Sequence, residues 1–196
     1  MSRYSDSEPY LDPATDVLKN RLDIADEATL EQAEADLVAT RSYELAQAPL
    51  KGRFDLAHMQ AIHRHLFGDV YEWAGQLRTI DISKGGNRFA HYAYLESAAA
   101  PIFQQLAKEN QLTGLGEAVF STRAAWYLGE LNALHPFREG NGRAQREFIS
   151  HLAHANGYYI AWENVSQADM LDAAIRSFHG ETGMLAAMIA ANLSQR

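Results

Sequence analysis

Apolar positions recur at helical spacing through most of the chain, and a single stretch breaks into alternation. From Asp55 onward, Leu56, Met59, Ile62, His63 and Leu66 share one stripe, with Asp55 placed to cap the helix they predict. A longer pattern over about 115–134 sets Phe120, Ala124, Tyr127, Leu128, Leu131 and Leu134 on one face. Phe148, Ile149 and Leu152 continue in a further helix until Asn156-Gly157, an ending that C-caps favour. Helices are also predicted over about 27–46, 94–109 and 181–193, and from Ser166. In the 27–46 helix, Leu30, Ala33, Leu37 and Thr40 form the inner stripe, and Glu31, Glu34, Asp36 and Arg41 lie outside it. Asp12 before Pro13 predicts a short helix to about Leu22.

The exception runs from Leu77 to Phe89. Leu77, Thr79, Ile80 and Ile82 precede the turn residues Lys84-Gly85-Gly86-Asn87, and Arg88-Phe89 follow, which predicts a β-hairpin. The fold expected is mostly α with one small hairpin, and 196 residues suffice for a single domain with a sizeable core. Trp73, Tyr71 and Phe89 are read as core aromatics near that hairpin.

Charge and composition narrow the partners. A net charge of -8 argues against broad binding to a phosphate backbone, so no direct nucleic-acid contact is expected. With no run of eighteen apolar residues, no membrane span is expected. Zero cysteines exclude disulfides and thiolate metal sites, and the first ten residues lack an apolar signal core. The cytoplasm is the expected location.

Chemistry concentrates between the two strongest helical patterns, in the stretch His135 to Arg146, HPFREGNGRAQR. Glycines at 140 and 142 let successive backbone N–H groups curl around an anion at a helix mouth. With Asn141 capping that helix, Gly142, Arg143 and Ala144 would offer free N–H groups. Arg143 and Arg146, three apart, would face the same anion with planar, permanently charged forks. Glu139 among these cations is suited to recruit Mg²⁺, which takes few protein ligands beside a polyphosphate. His135, with an ordinary pKa near ~6.5, is largely neutral at pH 7 and able to accept a hydroxyl proton. Phe137 is read as the anchor that pins the loop to the core. His63 with His65 and His151 with His154 invite a metal reading, but neither pair has a third ligand at an informative spacing, so both are read as core or surface histidines.

HPFREGNGRAQR resembles the signature of the Fic (filamentation induced by cAMP) family, His-x-Phe-x-Asp/Glu-Gly-Asn-Gly-Arg-x-x-Arg, with every defining position filled. A chance match is on the order of 10⁻¹⁰ per start position. The run LFGDVYEWAGQLRTIDISKGGNRFAHYAYL resembles that family's substrate flap, and PYLDPATDVLKNRL resembles the opening of its stand-alone bacterial toxins.

The resemblance implies a Fic-like helical bundle with a small flap, one domain over 1–196 with core about 55–160, flap about 78–92 and motif 135–146. It implies a protein adenylyltransferase that moves AMP from Mg-ATP to a target hydroxyl. His135 would then be the catalytic base, and Gly140, Asn141, Gly142, Arg143 and Arg146 would bind nucleotide. Lys84 and Gly85 of the flap would join them over the nucleotide, and Glu139 would hold Mg²⁺. The flap edge would pair with an extended segment of the target. Family members are often restrained by a helix bearing Ser/Thr-x-x-x-Glu-Gly/Asn. This chain has only near-matches at Thr40 to Glu44 and Ser177 to Glu181, with Leu45 and Thr182 where Gly or Asn is expected. The implied arrangement is a toxin restrained by a separate small antitoxin and acting on type II topoisomerase subunits. A nucleotide-binding module without turnover and a phosphohydrolase using water are the alternative readings.

Overall fold

The structure, a computed structural model, describes residues 8–84 and 86–196. Seven α-helices carry the described residues: α1 Glu27–Gln47, α2 Leu56–Phe67, α3 Leu95–Lys108, α4 Glu117–Leu134, α5 Asn141–Ala155, α6 Gln167–Phe178 and α7 Gly183–Asn192. Two small antiparallel ladders complete them: β1 Ser83–Lys84 with β2 Asn87–Arg88, and β3 Tyr158–Ile160 with β4 Leu193–Gln195. The mostly α bundle with a hairpin flap is therefore present.

α4 is the central element, packed against α3, α5, α6 and α7. Its expected stripe, from Phe120 through Leu134, is buried at every position named above. Gly129 lets the α6–α7 corner approach, since a Cβ there would stand 3.1 Å from the Thr182 methyl. α5 packs on α2 and α4, with Phe148, Ile149 and Leu152 fully buried, so the loop that connects α4 to α5 is held at both ends by core helices. Asp26, Asp55 and Ser166 cap α1, α2 and α6, each accepting the N–H three residues on.

Three expectations need correction. No helix forms over 12–22. Asp12 Oδ1 accepts the Ala14 N–H at 2.8 Å, Asp16 takes φ 60°, and Leu11 bridges Leu18. Local side-chain hydrogen bonds to the backbone win there over helix propensity. The buried stripe of α1 is Leu30, Glu34, Val38 and Leu45, rotated from the expected one because Glu34 turns inward to polar partners. The hairpin is joined by a second ladder, β3–β4, whose three-residue strands are too short for alternation to register in the sequence.

Candidate active site

α4 ends because His135 adopts the left-handed conformation, φ 46° and ψ 62°, and donates its N–H to the Leu131 carbonyl at 3.0 Å. A histidine held there is unusual, and the surroundings over-determine it. The Phe89 ring stacks on the imidazole, centroids 3.8 Å apart, and Arg78 Nε donates to the His135 carbonyl at 2.9 Å. His135 Nδ1 lies 3.1 Å from the Asn132 carbonyl, which can only accept, so the proton sits on Nδ1 and the Nε2 lone pair is free. Burial, chiefly, pulls the imidazole pKa down to about 4, with the Arg78 and Lys84 charges adding to it, while the Asn132 bond and Glu139 oppose. The ring is neutral throughout the neutral range, further from titration than its ordinary value predicts.

The loop after it is locked from within. Phe137 is fully buried and stacks on His63, centroids 3.9 Å apart, as the anchor expected. Asn141 is the first residue of α5, not its cap. Its Oδ1 accepts from Phe137 N–H at 2.9 Å and its Nδ2 donates to Phe137 C=O at 2.8 Å. The cap position falls to Gly140 at φ 76°, where a Cβ would meet the Phe67 ring at 2.3 Å, so both conformation and space require glycine. The first helical bond, Ala144 N–H to Gly140 C=O at 3.1 Å, shifts the anion cradle back by one residue from expectation. Among the described residues, Asn141, Gly142 and Arg143 head the helix with N–H groups that have no partner, and the Ala144 N–H is bonded.

Arg143 and Arg146 are brought together but held differently. Arg143 donates from Nη2 to Glu34, and its guanidinium lies 4.7 Å over the Phe67 ring. Arg146 has no hydrogen bond or ion pair from its guanidinium among the described residues. Burial, then the Arg143 charge, lowers its pKa, but a guanidinium stays protonated. Glu139 is exposed; its Oε1 accepts from Gly140 N–H at 2.9 Å, and its Oε2 has no partner among the described residues. One free carboxylate oxygen at the mouth of a helix fits Mg²⁺, which leaves the remaining positions to phosphate and water oxygens.

Two residues to which the sequence assigned no part in this site hold it together: His63, read as a core or surface histidine, and Arg78. His63 donates from Nε2 to the Glu139 carbonyl at 2.9 Å and accepts Gly75 N–H on Nδ1 at 2.9 Å, so both ring nitrogens are committed. Burial first lowers its pKa to about 4, and the charge of Arg143 adds to the effect. Arg78, 2% exposed, spends its donors on the His135, Ile80 and Ala90 carbonyls, and its N–H on Pro136. It ties the flap base to the motif. Its only sequence signal was a charged residue in an apolar alternating stretch. His151 likewise is occupied, accepting from Leu50 N–H at 2.9 Å and facing the Glu147 carbonyl.

The flap pairs Ser83 with Arg88 and Lys84 with Asn87. Asp81 anchors its base, accepting from Tyr92 N–H and from Arg88. The Tyr92 bond, first, and the Arg88 bond hold its carboxyl below the usual range. Lys84 is exposed on the strand, and Gly85 lies outside the described residues. A groove of about 630 Å³ is lined by Arg143 and Arg146 together with Tyr43, His151 and Tyr159, and His135 is not among its lining residues.

The profile of the Fic/DOC family matches residues 53–153. The chain is 50% identical over its full 196 residues to the protein adenylyltransferase VbhT of Bartonella schoenbuchensis, and spans 41% of that protein's length. It is 42% identical over 191 residues to a Sinorhizobium fredii protein named "Probable protein adenylyltransferase y4lH", covering 96% of this chain and 98% of that one. The structure superposes with a TM-score of 0.90 on BepC of Bartonella tribocorum, a VirB-translocated effector solved with bound AMPPNP, at 26% identity over 95% of this chain and 97% of that chain.

Proposed function

The chain belongs to the Fic/DOC family, and from that premise we propose that it is a protein adenylyltransferase that moves AMP from ATP to a hydroxyl side chain of a target protein. The observation that carries this reading is the fixed tautomer of His135, with Nε2 free beside the flap and the α5 N-terminus. Bound AMPPNP, a triphosphate analogue, in BepC supports ATP as donor.

Nε2 of His135 takes the proton of the target hydroxyl as its oxygen bonds to the α-phosphorus. The bond from that phosphorus to the bridging oxygen breaks, and pyrophosphate leaves. The N–H groups of Asn141, Gly142 and Arg143, with the guanidinium of Arg143, hold the phosphates in line, and Arg146 receives the leaving end. Glu139 would hold Mg²⁺, which when bound offsets charge on the phosphate oxygens. Lys84 lies over the nucleotide in this proposal, and the edge of the flap receives an extended segment of the target.

The same proposal takes the chain as one Fic-like domain acting in the cytoplasm; among the described residues no helix is long and apolar enough to cross a membrane. The resemblance to stand-alone toxins supports a separate small antitoxin and type II topoisomerase subunits as targets. The groove at Arg146 supports the first point, because it gives a partner's side chain a route to an arginine with no ion pair or side-chain hydrogen bond among the described residues.

Incubation with α-labelled ATP, CTP, GTP and UTP in a bacterial lysate tests the reading. A labelled protein with ATP is the expected result. Nucleotide binding with no labelled protein would indicate a binding module, and ATP consumption without labelling a hydrolase.

A further inference from the structure

α1 carries a carboxylate where its packing stripe calls for an apolar side chain. Glu34 is 7% exposed, and no lysine or arginine from α1 accompanies it inward. Its Oε2 accepts the Tyr71 hydroxyl at 2.5 Å, and its Oε1 accepts from Arg143 Nη2. Arg143 is thereby held on three sides: by the α1 carboxylate, by the Phe67 ring at 4.7 Å, and by its own helix. Phe67 is itself fixed, lying flat against Gly140 with no room for a Cβ. Tyr71 is clamped by Trp73, ring centroids 4.3 Å apart. Burial first, and then the hydrogen bond to Glu34, push the Tyr71 hydroxyl pKa upward, so it remains a donor at any working pH.

Desolvating a carboxylate makes little sense as a stability device, since a buried ion pair seldom outperforms apolar packing. What the pair supplies is direction. A guanidinium has five N–H donors in one plane, and Glu34 occupies one end of it. The Arg143 side chain is still 31% exposed, so the remaining edge is left available.

We propose that Glu34, braced by Tyr71, is a positioning residue that fixes the plane of Arg143 so that its free edge meets the nucleotide phosphates at the head of α5. This rests on the nucleotide-binding reading above. Glu34 touches neither nucleotide nor target; it acts through Arg143.

The test compares Glu34→Ala, Glu34→Gln and Tyr71→Phe with the parent in the full chain, reading ATP affinity by calorimetry in Mg²⁺ and steady-state transfer. Glu34→Ala is expected to weaken ATP affinity about ten-fold and raise KM for ATP to match, with kcat falling less. Glu34→Gln, which keeps one acceptor, falls between, and Tyr71→Phe costs about two- to three-fold. On an Arg143→Ala background Glu34→Ala should change ATP affinity less than two-fold. Equal losses on both backgrounds, or a melting shift with unchanged ATP affinity, would make Glu34 merely structural and overturn the proposal. Higher affinity or transfer in Glu34→Ala would also overturn it, showing Glu34 to be a restraint on Arg143. Slowed guanidinium rotation of Arg143, read by nitrogen NMR in the parent and lost in Glu34→Gln, tests the orientation even if no donor nucleotide is found. A parent that shows this signal but binds no ATP would sink the functional reading and leave the positioning intact.

Discussion

The motif loop and the flap face each other across the site and are built on opposite terms. From 135 to 141 most polar backbone groups are spoken for: Arg78 takes the His135 and Pro136 carbonyls, His63 the Glu139 carbonyl, and Asn141 both groups of Phe137. The flap has two residues per strand, with Ser83, Lys84, Gly86 and Arg88 exposed, and open space around Gly86. Rigid geometry at the reacting atoms shortens the search for an aligned attack. An open ladder, by contrast, leaves main-chain groups for another chain to satisfy. In the proposed reading, packing fixes the reacting groups and the flap edge is left for the target to complete.

The hardest break of the rigid side is His135→Ala. Transfer should fall by about 10²–10⁴-fold, the usual contribution of a positioned base, while ATP affinity measured by calorimetry changes less than three-fold. The same residue fixes the acid limb. Its folded pKa, about 4, lies below the ordinary 6.5, so the group keeps its neutral form as pH falls. The rate should therefore be flat with respect to this group from pH 8 to 5 and drop only toward 4. Stability runs with it: the contribution is complete above about 6.5 and is lost as pH falls through the folded value, because the unfolded chain takes up the proton first. His63, also lowered to about 4, adds a second loss in the same window. A rate midpoint near 6.5 would refute the buried-base account.

Asn141→Ala attacks the lock. Phe137 N–H and C=O would be left unpaired in the core, costing about 2–4 kcal/mol, which for a chain this size lowers Tm by about 5–15 °C. Transfer should fall about ten-fold or more. If nucleotide affinity collapses at an unchanged Tm, Asn141 is a ligand and not a lock.

That distinction marks the limit of what the sequence could tell. Helical periodicity located α2, α4 and α5 and their inner faces because burial alone decides them. The motif singled out His135, Glu139, Arg143 and Arg146 because each residue type suits one chemical role, and the fold carries all four on one loop and the first two turns of α5. Asn141 was read as a helix cap because capping depends on a local preference, and the side chain instead served the buried Phe137 backbone. Glu34, read as lying outside its helix's stripe, and His63 and Arg78, polar residues in apolar patterns, have partners 109, 76 and 57 residues away along the chain. Periodicity carries no information about such pairings.

Glu139→Ala should be milder. A defect of about ten-fold at limiting Mg²⁺ that shrinks as Mg²⁺ rises is expected of a cation ligand, and an equal defect at every Mg²⁺ level would remove that role. On the open side, Gly86→Ala places an L side chain at φ 85°, with nothing within 4 Å to clash. The cost is backbone strain alone, about 1–2 kcal/mol, and it falls on a hairpin with little packing to transmit it. Tm should move by less than 2 °C, while KM for the protein target rises about three-fold. A larger fall in Tm would show that the flap is part of the cooperative core.

The smallest effect is expected where an internal restraint would have to act. Arg146 has no ion pair among the described residues, and the two glutamates at near-matching spacings are engaged or placed elsewhere. Glu44 binds Arg41 at 2.9 Å on its own helix and lies 3.1 Å from His65. Glu181 is exposed beyond the end of α6, so Ser177 and Glu181 do not share a helix. Glu44→Ala and Glu181→Ala should therefore each leave transfer within two- to three-fold of the parent. A glutamate that did occupy Arg146 would behave otherwise. Its removal would return one charge-assisted pair, worth roughly 1.5–3 kcal/mol, to the leaving phosphates, and transfer would rise about ten-fold or more. Self-labelling with α-labelled ATP on the two variants separates these outcomes. Activation of either one would move the restraint inside the chain, and with it the need for a separate antitoxin would disappear.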